Sequence, residues 1–196
     1  LLEDSVSQPF AGIFDTYLIP YSGMHKQITI EKLSKAIKLV YASIYSDDSR
    51  AYFNVIHHKI EEEKMGVVLQ ELVGQKHHEY YYPHISGVAQ SYNYYPVAHM
   101  DPGEGFAVIA LGLGTYVVGG NNSFRFSPKY PRVEMYTMKD LLNSSQVKFH
   151  ALDFSKTDTD FVVDGEMASL SLLDISEAEA HGTLKHCASV YNAAND

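Results

Sequence analysis

Residues 8–16, with the sequence QPFAGIFDT, combine a turn of small residues with a hydroxyl group, a composition that suits contact with phosphate. Gly12 lets a phosphate approach backbone N–H groups closely, and the hydroxyl of Thr16 adds a further donor. A turn of this composition also precedes many strands that bind no ligand. On this segment alone, the purely structural interpretation is favoured over a phosphate site.

A second segment, VVLQELV at residues 67–73, has the composition of a strand that could receive a purine. A purine needs flat apolar walls together with one backbone donor and one backbone acceptor, and the end of a strand supplies both. The pattern predicts a largely buried strand over Met65–Val73, with Gly74 as its end. Gln70 and Glu71 also fit a simpler interpretation, in which they face solvent on a half-covered sheet.

The third segment, ALGLGTYVVGG at residues 110–120, places Gly112 and Gly114 directly after a predicted strand. Glycines at this point permit close approach of a ligand to the backbone. The third glycine of the G-x-G-x-x-G pattern is missing, so no nicotinamide cofactor is indicated. The chain also lacks the lysine motif of P-loop nucleotide-hydrolysing enzymes.

The histidines and the single cysteine predict neither a metal centre nor a nucleophile. Adjacent histidines, as in His57-His58 and His77-His78, point to opposite faces of a strand and do not chelate one ion together. There is no H-E-x-x-H pattern, and Cys187 has no second cysteine with which to form a thiolate zinc site or an internal disulfide. The single cysteine fits a reducing, cytoplasmic setting.

The charge balance excludes two classes of partner. Among 196 residues there are 15 lysines and arginines against 24 aspartates and glutamates, a net charge of −9. Non-specific binding to nucleic acid or to an anionic membrane surface needs a basic face, so neither partner is expected. No run approaches the roughly 20 apolar residues of a membrane helix. The sequence opens at Leu1 without an initiator methionine, and we therefore expect a fragment of a longer protein.

Hydrophobic periodicity predicts the elements that position these segments. Thr29 is a plausible N-cap, and Leu33, Ile37, Val40 and Ile44 recur at the spacing of one helical stripe. A second helix is predicted over about 49–60, strands over 65–73, 85–92, 106–111 and 147–154, and a return to helix over about 168–194. This order predicts an α+β fold with a mainly antiparallel sheet flanked by helices. We expect residues 1–167 to form part of one domain and residues 168–196 to be its C-terminal helical segment or a linker.

The order of five sequence blocks resembles the nucleotide-binding domain of the phosphoenolpyruvate synthase and pyruvate phosphate dikinase family. The blocks are LLEDSVSQPFAGIFDTYL, LSKAIKLVYASIYSDDSRAYF, MGVVLQELV, ISGVAQSYNYYP and ALGLGTYVVGG, which together span roughly residues 1–132. The resemblance implies an ATP-grasp fold, in which ATP lies between two α+β lobes. It also implies transfer of phosphate from ATP to a histidine on another domain and then to pyruvate, which gives phosphoenolpyruvate.

The resemblance assigns nucleotide contacts to positions of this chain: Ala11, Gly12, Thr16, Gln70, Glu71, Leu72, Val73, Gly112 and Gly114. The first three belong to the loop that covers the phosphates, the next four to the hinge that receives adenine, and the two glycines to the phosphate end. Thr115 stands where the family usually has an acidic residue. No catalytic residue and no metal ligand is assigned.

The resemblance further implies ATP and Mg²⁺ as cofactors, with the magnesium ligands outside this segment. The family holds magnesium on a D-I-E-type strand, and neither Asp153-Phe154-Ser155 nor Asp164-Gly165-Glu166 matches it well. Since phosphoryl transfer depends on positioning and charge neutralisation, we expect the isolated chain to turn over no ATP. The implied partners are a phosphohistidine domain and, through other domains, pyruvate; a homo-oligomer is also possible.

Two alternatives stay open. One is a related phosphotransferase of the same type that acts on another acceptor. The other is a non-catalytic ATP-grasp-like module for ligand sensing or assembly. The residue at Thr115 and the tyrosine- and histidine-rich segment Lys76–His84 motivate the second alternative.

Overall fold

The computed structural model describes residues 12–21, 26–97, 100–119, 122–131 and 137–188. The contacts divide the chain into two units. The first unit runs to Leu72 and includes Leu152–Leu170, and the second comprises Val73–Ala151 and the chain from Ser171 onward. Helices and antiparallel strands occur together, so the predicted α+β class is confirmed.

The α-helices are Lys26–Ala42 (α1), Asp47–Val55 (α2), Thr115–Val118 (α3), Met138–Ser144 (α4), Phe161–Asp164 (α5) and Ile175–Ala180 (α6). The strands are Gln75–His77 (β1), Tyr80–Tyr82 (β2), Ile85–Gln90 (β3), Phe106–Leu111 (β4), Phe124–Phe126 (β5), Lys148–Asp153 (β6) and Leu170–Asp174 (β7). Short 3-10 turns cover Ser43–Tyr45, Ile60–Glu62, Pro102–Glu104 and Leu184–His186.

In the first unit, α1 carries the predicted apolar stripe but begins before Thr29. Its first residues, from Lys26, are good helix formers, and they extend the helix by three residues beyond the predicted start. Ile44 lies in the 3-10 turn that follows α1. The core of this unit is built around buried Ala36, Phe161 and Ala168, with Tyr17, Ile19 and Leu39 packed against them.

The second helix is shorter than predicted. Ser46 caps α2 because its side chain accepts a hydrogen bond from the Ser49 amide, and Asp47 and Asp48 in the first turn complement the helix dipole. After Val55 the chain turns away, and His57 adopts a left-handed backbone conformation with φ of 53°. A left-handed residue ends an α-helix, so the predicted continuation to residue 60 does not form.

The prediction of a buried strand over Met65–Val73 is wrong. The segment contains no regular strand, and Val68, Leu69 and Val73 are 76%, 63% and 80% exposed. A strand requires a neighbour that pairs with its backbone, and apolar composition alone does not supply one. Among the described residues, those at 65–71 make no backbone hydrogen bond.

In the second unit, β3, β4 and β5 form an antiparallel sheet in that order. Ile85 pairs with Leu111, and Ile109 pairs with Gly87 on one side and Phe124 on the other. The predicted strand 106–111 is confirmed at both ends, and the predicted strand 85–92 ends two residues early at Gln90.

A second sheet has the strand order β1-β2-β6-β7, and it holds the largest differences from the sequence prediction. The strand predicted over 147–154 is confirmed as β6, whereas the β1–β2 hairpin was not predicted. The prediction of helix from residue 168 is wrong over Leu170–Asp174, which forms β7. Buried leucines at 170 and 173 fit a helical spacing equally well, and the neighbouring strand β6 decides the outcome.

Aromatic and imidazole rings pack around Tyr82, which has no exposed surface. Its ring centroid lies 4.8 Å from that of Phe149 and 4.8 Å from that of His77. The rings of His77 and His181 stack with centroids 5.1 Å apart. The buried Nε2 of His77 has no hydrogen-bond partner among the described residues. Burial and the neighbouring imidazoles of His181, His84 and His78 lower the pKa of His77.

This packing makes the stability of the chain depend on pH. The folded protein disfavours protonated His77, so the unfolded chain binds more protons and stability falls as pH decreases. The contribution of neutral His77 to stability is complete above the ordinary histidine pKa of 6.5. It is lost as pH falls toward the lowered pKa of His77 in the folded protein. We expect His77→Phe to flatten the dependence of the unfolding free energy on pH between pH 7 and pH 5, as measured by urea denaturation. The slope should fall by the equivalent of at most about one bound proton per molecule.

His57→Asn provides the control for this experiment, because His57 is exposed and asparagine tolerates its left-handed backbone. The His57→Asn variant should show the same slope of unfolding free energy against pH as the unsubstituted chain. Some pH dependence will persist in the His77→Phe variant, since burial also lowers the pKa of His150. Equal slopes for His77→Phe and the unsubstituted chain would contradict the prediction.

Candidate functional site

The first unit contains a cavity of about 240 Å³ with three walls. The first wall is the segment Phe14–Tyr17 with Ile19, the second is one face of α1, and the third is the extended segment Met65–Leu69. The α1 face consists of Leu33, Ala36, Ile37 and Val40. The helical stripe that was read from the sequence is therefore a wall of the cavity.

Two hydroxyl groups anchor the first wall, one on the 3-10 turn that follows α1 and one on α2. The Asp15 amide donates to Ser43 Oγ at 3.1 Å, and Ser43 Oγ donates to the Val40 carbonyl at 2.7 Å. Ser49 Oγ lies 3.2 Å from the carbonyl oxygen of Ile13, which is buried. These contacts order the backbone of residues 13–15 beside the last turn of α1.

Two further side chains act on the same wall. The Tyr17 hydroxyl donates to Asp15 Oδ2 at 2.8 Å, and burial together with the Asp15 carboxylate raises the pKa of Tyr17. Glu166 Oε1 accepts a hydrogen bond from the Thr16 amide. Burial raises the pKa of Glu166, and the nearby Asp15 charge raises it further. Because the pKa of Tyr17 is raised above its ordinary value, the Tyr17 hydroxyl is a neutral donor over the physiological pH range.

The third wall consists of extended backbone beside apolar side chains. No backbone hydrogen bond joins residues 65–71 to another residue that the structure describes. Gly66 adds no side chain to this wall, and a Cβ at that position would meet no atom within 4 Å. Backbone donors and acceptors beside apolar side chains are the combination that a planar heterocycle requires.

The lining is suited to a neutral ring rather than to a phosphate. Asp15 is the charged residue among those that line the cavity, and its carboxylate repels an anion. The volume lies below the roughly 300–1,000 Å³ of pockets that enclose a drug-sized ligand. A nucleobase is therefore a better match in size and charge than a complete nucleoside triphosphate.

The structure divides the residues that the sequence assigned to a nucleotide site. Thr16 lines the cavity; Gly12 precedes the first wall by two residues, and Gln70–Leu72 follow the third wall in the chain. Val73, Gly112 and Gly114 belong to the second unit. Ala11 lies outside the described residues.

Gly112 and Gly114 have different local surroundings. Gly112 has a φ of 79°, and a Cβ there would lie 2.7 Å from Phe149 Cδ2 and 2.8 Å from the His150 carbonyl oxygen. Its own carbonyl accepts a hydrogen bond from Ser86 Oγ at 2.6 Å. Gly114 is the residue before α3 and has an ordinary φ of −63°. Close packing within the second unit accounts for glycine at position 112 without a ligand.

Sequence reasoning missed several residues of the cavity. Asp15 and Tyr17 flank Thr16 in a segment that was selected for its glycine and hydroxyl alone. Ala36 lies within the recognised helix, but periodicity does not distinguish a cavity wall from a packed core. Glu166 carries no sequence signal for this role, because it reaches Thr16 from a distant part of the chain.

The described residues contain neither a cluster of metal ligands nor a membrane-spanning helix. Nowhere among the residues that the structure describes do three or more His, Cys, Asp or Glu side chains lie together so as to hold a metal ion. None of the helices in the described ranges has the length and apolar character needed to cross a bilayer.

Comparison with known proteins identifies the family. The family model described as pyruvate phosphate dikinase, AMP/ATP-binding domain, matches residues 1–193. No curated protein and no solved structure matches the chain significantly. The matched range includes the cavity and all the segments that were selected from the sequence. The chain therefore belongs to the family of AMP/ATP-binding domains of pyruvate phosphate dikinases.

Proposed function

We propose that the cavity of the first unit receives the adenine ring of ATP or AMP. One observation carries this proposal: Phe14–Tyr17 and Met65–Leu69, which are distant in the chain, line the same cavity. Both segments belong to blocks that resemble the nucleotide-binding domain of the dikinase family. Their meeting in one cavity supports adenine binding more strongly than either segment does alone.

In this proposal the three walls have separate roles. Leu33, Ile37 and Val40 cover one face of the base, and backbone groups of the third wall hydrogen-bond to its edge. Gln70–Val73 continue this hinge, while Ala11, Gly12 and Thr16 contact the ribose or phosphates. For Gly112 and Gly114 we keep the proposal of a contact at the phosphate end.

We further propose that the chain has the ATP-grasp fold and is the nucleotide-binding part of a phosphotransferase. Phosphate would pass from ATP to a histidine on another domain and then to pyruvate, giving phosphoenolpyruvate. The described residues supply the base-binding cavity and no acid, base or nucleophile for this reaction. Magnesium would be held by residues outside those described.

The adenine proposal is tested by filling the cavity from its third wall. We expect the chain to bind ATP and AMP, and Val67→Trp to weaken both affinities at least about tenfold, because the indole occupies the space of the base. GTP should bind more weakly than ATP, since the edge of guanine presents a different order of donors and acceptors. Isothermal titration calorimetry on the 196-residue chain measures all these affinities.

Val55→Trp is the matched control, because Val55 is 76% exposed at the end of α2 and does not line the cavity. Its affinity for ATP should stay within about twofold of the unsubstituted chain. ATP binding that is equally strong in Val67→Trp and Val55→Trp would refute the placement of adenine in this cavity.

A further inference from the structure

Glu166 is hydrogen-bonded to the first wall of the cavity. The residue belongs to Leu152–Leu170, the second stretch of the first unit. Its carboxylate accepts the Thr16 amide hydrogen, whereas Glu166 itself does not line the cavity. A contact of this kind acts on a ligand only through the wall that it holds.

A second contact from the same stretch supports the wall. The rings of Tyr17 and Phe161 meet edge to face, with centroids 5.2 Å apart, and Phe161 is 2% exposed in the core of the unit. Phe161 therefore fixes the Tyr17 side of the wall by packing. Glu166 fixes the backbone at Thr16 by a charge-assisted hydrogen bond, which is stronger than a neutral one.

We propose that Glu166 is a positioning residue for nucleotide binding, whose ionised carboxylate holds Thr16 in the geometry that the bound nucleotide requires. This inference rests on the proposed binding of adenine in the same cavity. It goes beyond that proposal because it makes affinity depend on the charge of a residue that does not touch the ligand.

The charges around Glu166 determine the direction of the pH dependence. The titratable groups that face it are Asp15 and Tyr17, both on the first wall. Burial raises the pKa of Glu166, the Asp15 charge acts in the same direction, and the hydrogen bond from Thr16 opposes them. As pH falls through this raised pKa, the carboxyl becomes a weaker acceptor and the wall loses its anchor. Affinity should therefore be highest where the carboxylate is ionised and should fall on acidification.

The test compares Glu166→Gln with the unsubstituted chain at several pH values. Glutamine keeps the shape and one acceptor oxygen but carries no charge at any pH. We expect the dissociation constant for ATP to be about three- to tenfold higher in Glu166→Gln at pH 7.5. The ratio of the two dissociation constants should fall toward one as pH decreases through the raised pKa of Glu166, because its carboxyl then becomes neutral as well. Taking this ratio cancels the titration of the phosphates of ATP.

Asp158→Asn is the matched control, because it removes an exposed carboxylate of the same unit that makes no hydrogen bond among the described residues. The dissociation constant for ATP should be the same in Asp158→Asn and in the unsubstituted chain at every pH. As a readout without ligand, the amide resonance of Thr16 should titrate with Glu166 in the unsubstituted chain and not in Glu166→Gln.

The outcomes separate this inference from the proposed function. If the unsubstituted chain binds ATP and the Glu166→Gln ratio is one at pH 7.5, or is constant with pH, the positioning role is refuted while adenine binding stands. A constant ratio above one would show a purely structural contribution. If the unsubstituted chain binds neither ATP nor AMP, the proposed function and this inference are both overturned.

Discussion

Replacing Tyr82 by alanine should lower the free energy of unfolding by about 3–5 kcal/mol, the range typical of truncating a large buried aromatic side chain. Tyr82 has no exposed surface and packs against Phe149 and His77. Its hydroxyl oxygen lies 2.8 Å from His181 Nδ1. Alanine would leave a cavity and would also remove the partner of His181. Urea denaturation followed by far-ultraviolet circular dichroism measures the change.

Two further variants separate packing from hydrogen bonding. Tyr82→Phe keeps the ring and removes the hydroxyl, and it should cost about 1 kcal/mol. Tyr94→Ala removes a tyrosine that is 75% exposed and should change stability by less than about 0.5 kcal/mol. A Tyr82→Ala variant as stable as Tyr94→Ala would show that Tyr82 is not part of the core of the second unit.

Replacing Gly112 by alanine should lower the free energy of unfolding by about 2–5 kcal/mol. A left-handed backbone, with φ of 79°, costs a non-glycine residue roughly 1–2 kcal/mol. The added Cβ would also overlap Phe149 Cδ2 at 2.7 Å and the His150 carbonyl oxygen at 2.8 Å. Overpacking of this kind adds about 1–3 kcal/mol, since β6 does not move away without breaking its own contacts. Thermal and urea unfolding of the variant measure the loss.

Gly114→Ala is the matched control, two residues further along the chain. A Cβ at this position would meet only Ser86 Cβ at 3.8 Å, and the φ of −63° is ordinary for alanine. We expect no loss of stability larger than about 0.5 kcal/mol. If Gly112→Ala is as stable as Gly114→Ala but loses ATP binding, the packing explanation for Gly112 is wrong and the ligand explanation is favoured.

Local patterns of apolar residues predicted some of the elements correctly. The stripe of Leu33, Ile37 and Val40 predicted α1, and the apolar run Phe106–Leu111 predicted β4 at both ends. The spacing in α1 and the continuous apolar run in β4 are properties of residues that are close in the chain, so both can be recognised without the tertiary structure.

The same patterns failed where a distant partner decides the outcome. Met65–Val73 has the composition of a strand but no strand pairs with it, and Leu170–Asp174 has a helical spacing but lies beside β6. The short β1–β2 hairpin also escaped prediction, because three-residue strands are too short to show an alternating pattern.

For the candidate site, the sequence indicated the two segments that carry chemistry but not their supports. Thr16 was selected for its hydroxyl, and it lines the cavity. Glu166 and the α1 wall were not connected with it, since nothing in their spacing refers to residue 16. The hinge at residues 70–73, which the sequence predicts, forms part of the proposal.

The order of the sequence blocks determined the family, because it follows directly from the order of residues along the chain. Local patterns of apolar residues determined α1, β4 and β6, because such patterns depend on residues that are near one another in the chain. Only the tertiary structure decided that Phe14–Tyr17, α1 and Met65–Leu69 enclose one cavity, and that Glu166 bonds to Thr16. Likewise, only folding places Phe149 and His150 against Gly112. These contacts join segments far apart in the chain, and the free energy that selects them comes from packing and burial, which no local pattern encodes.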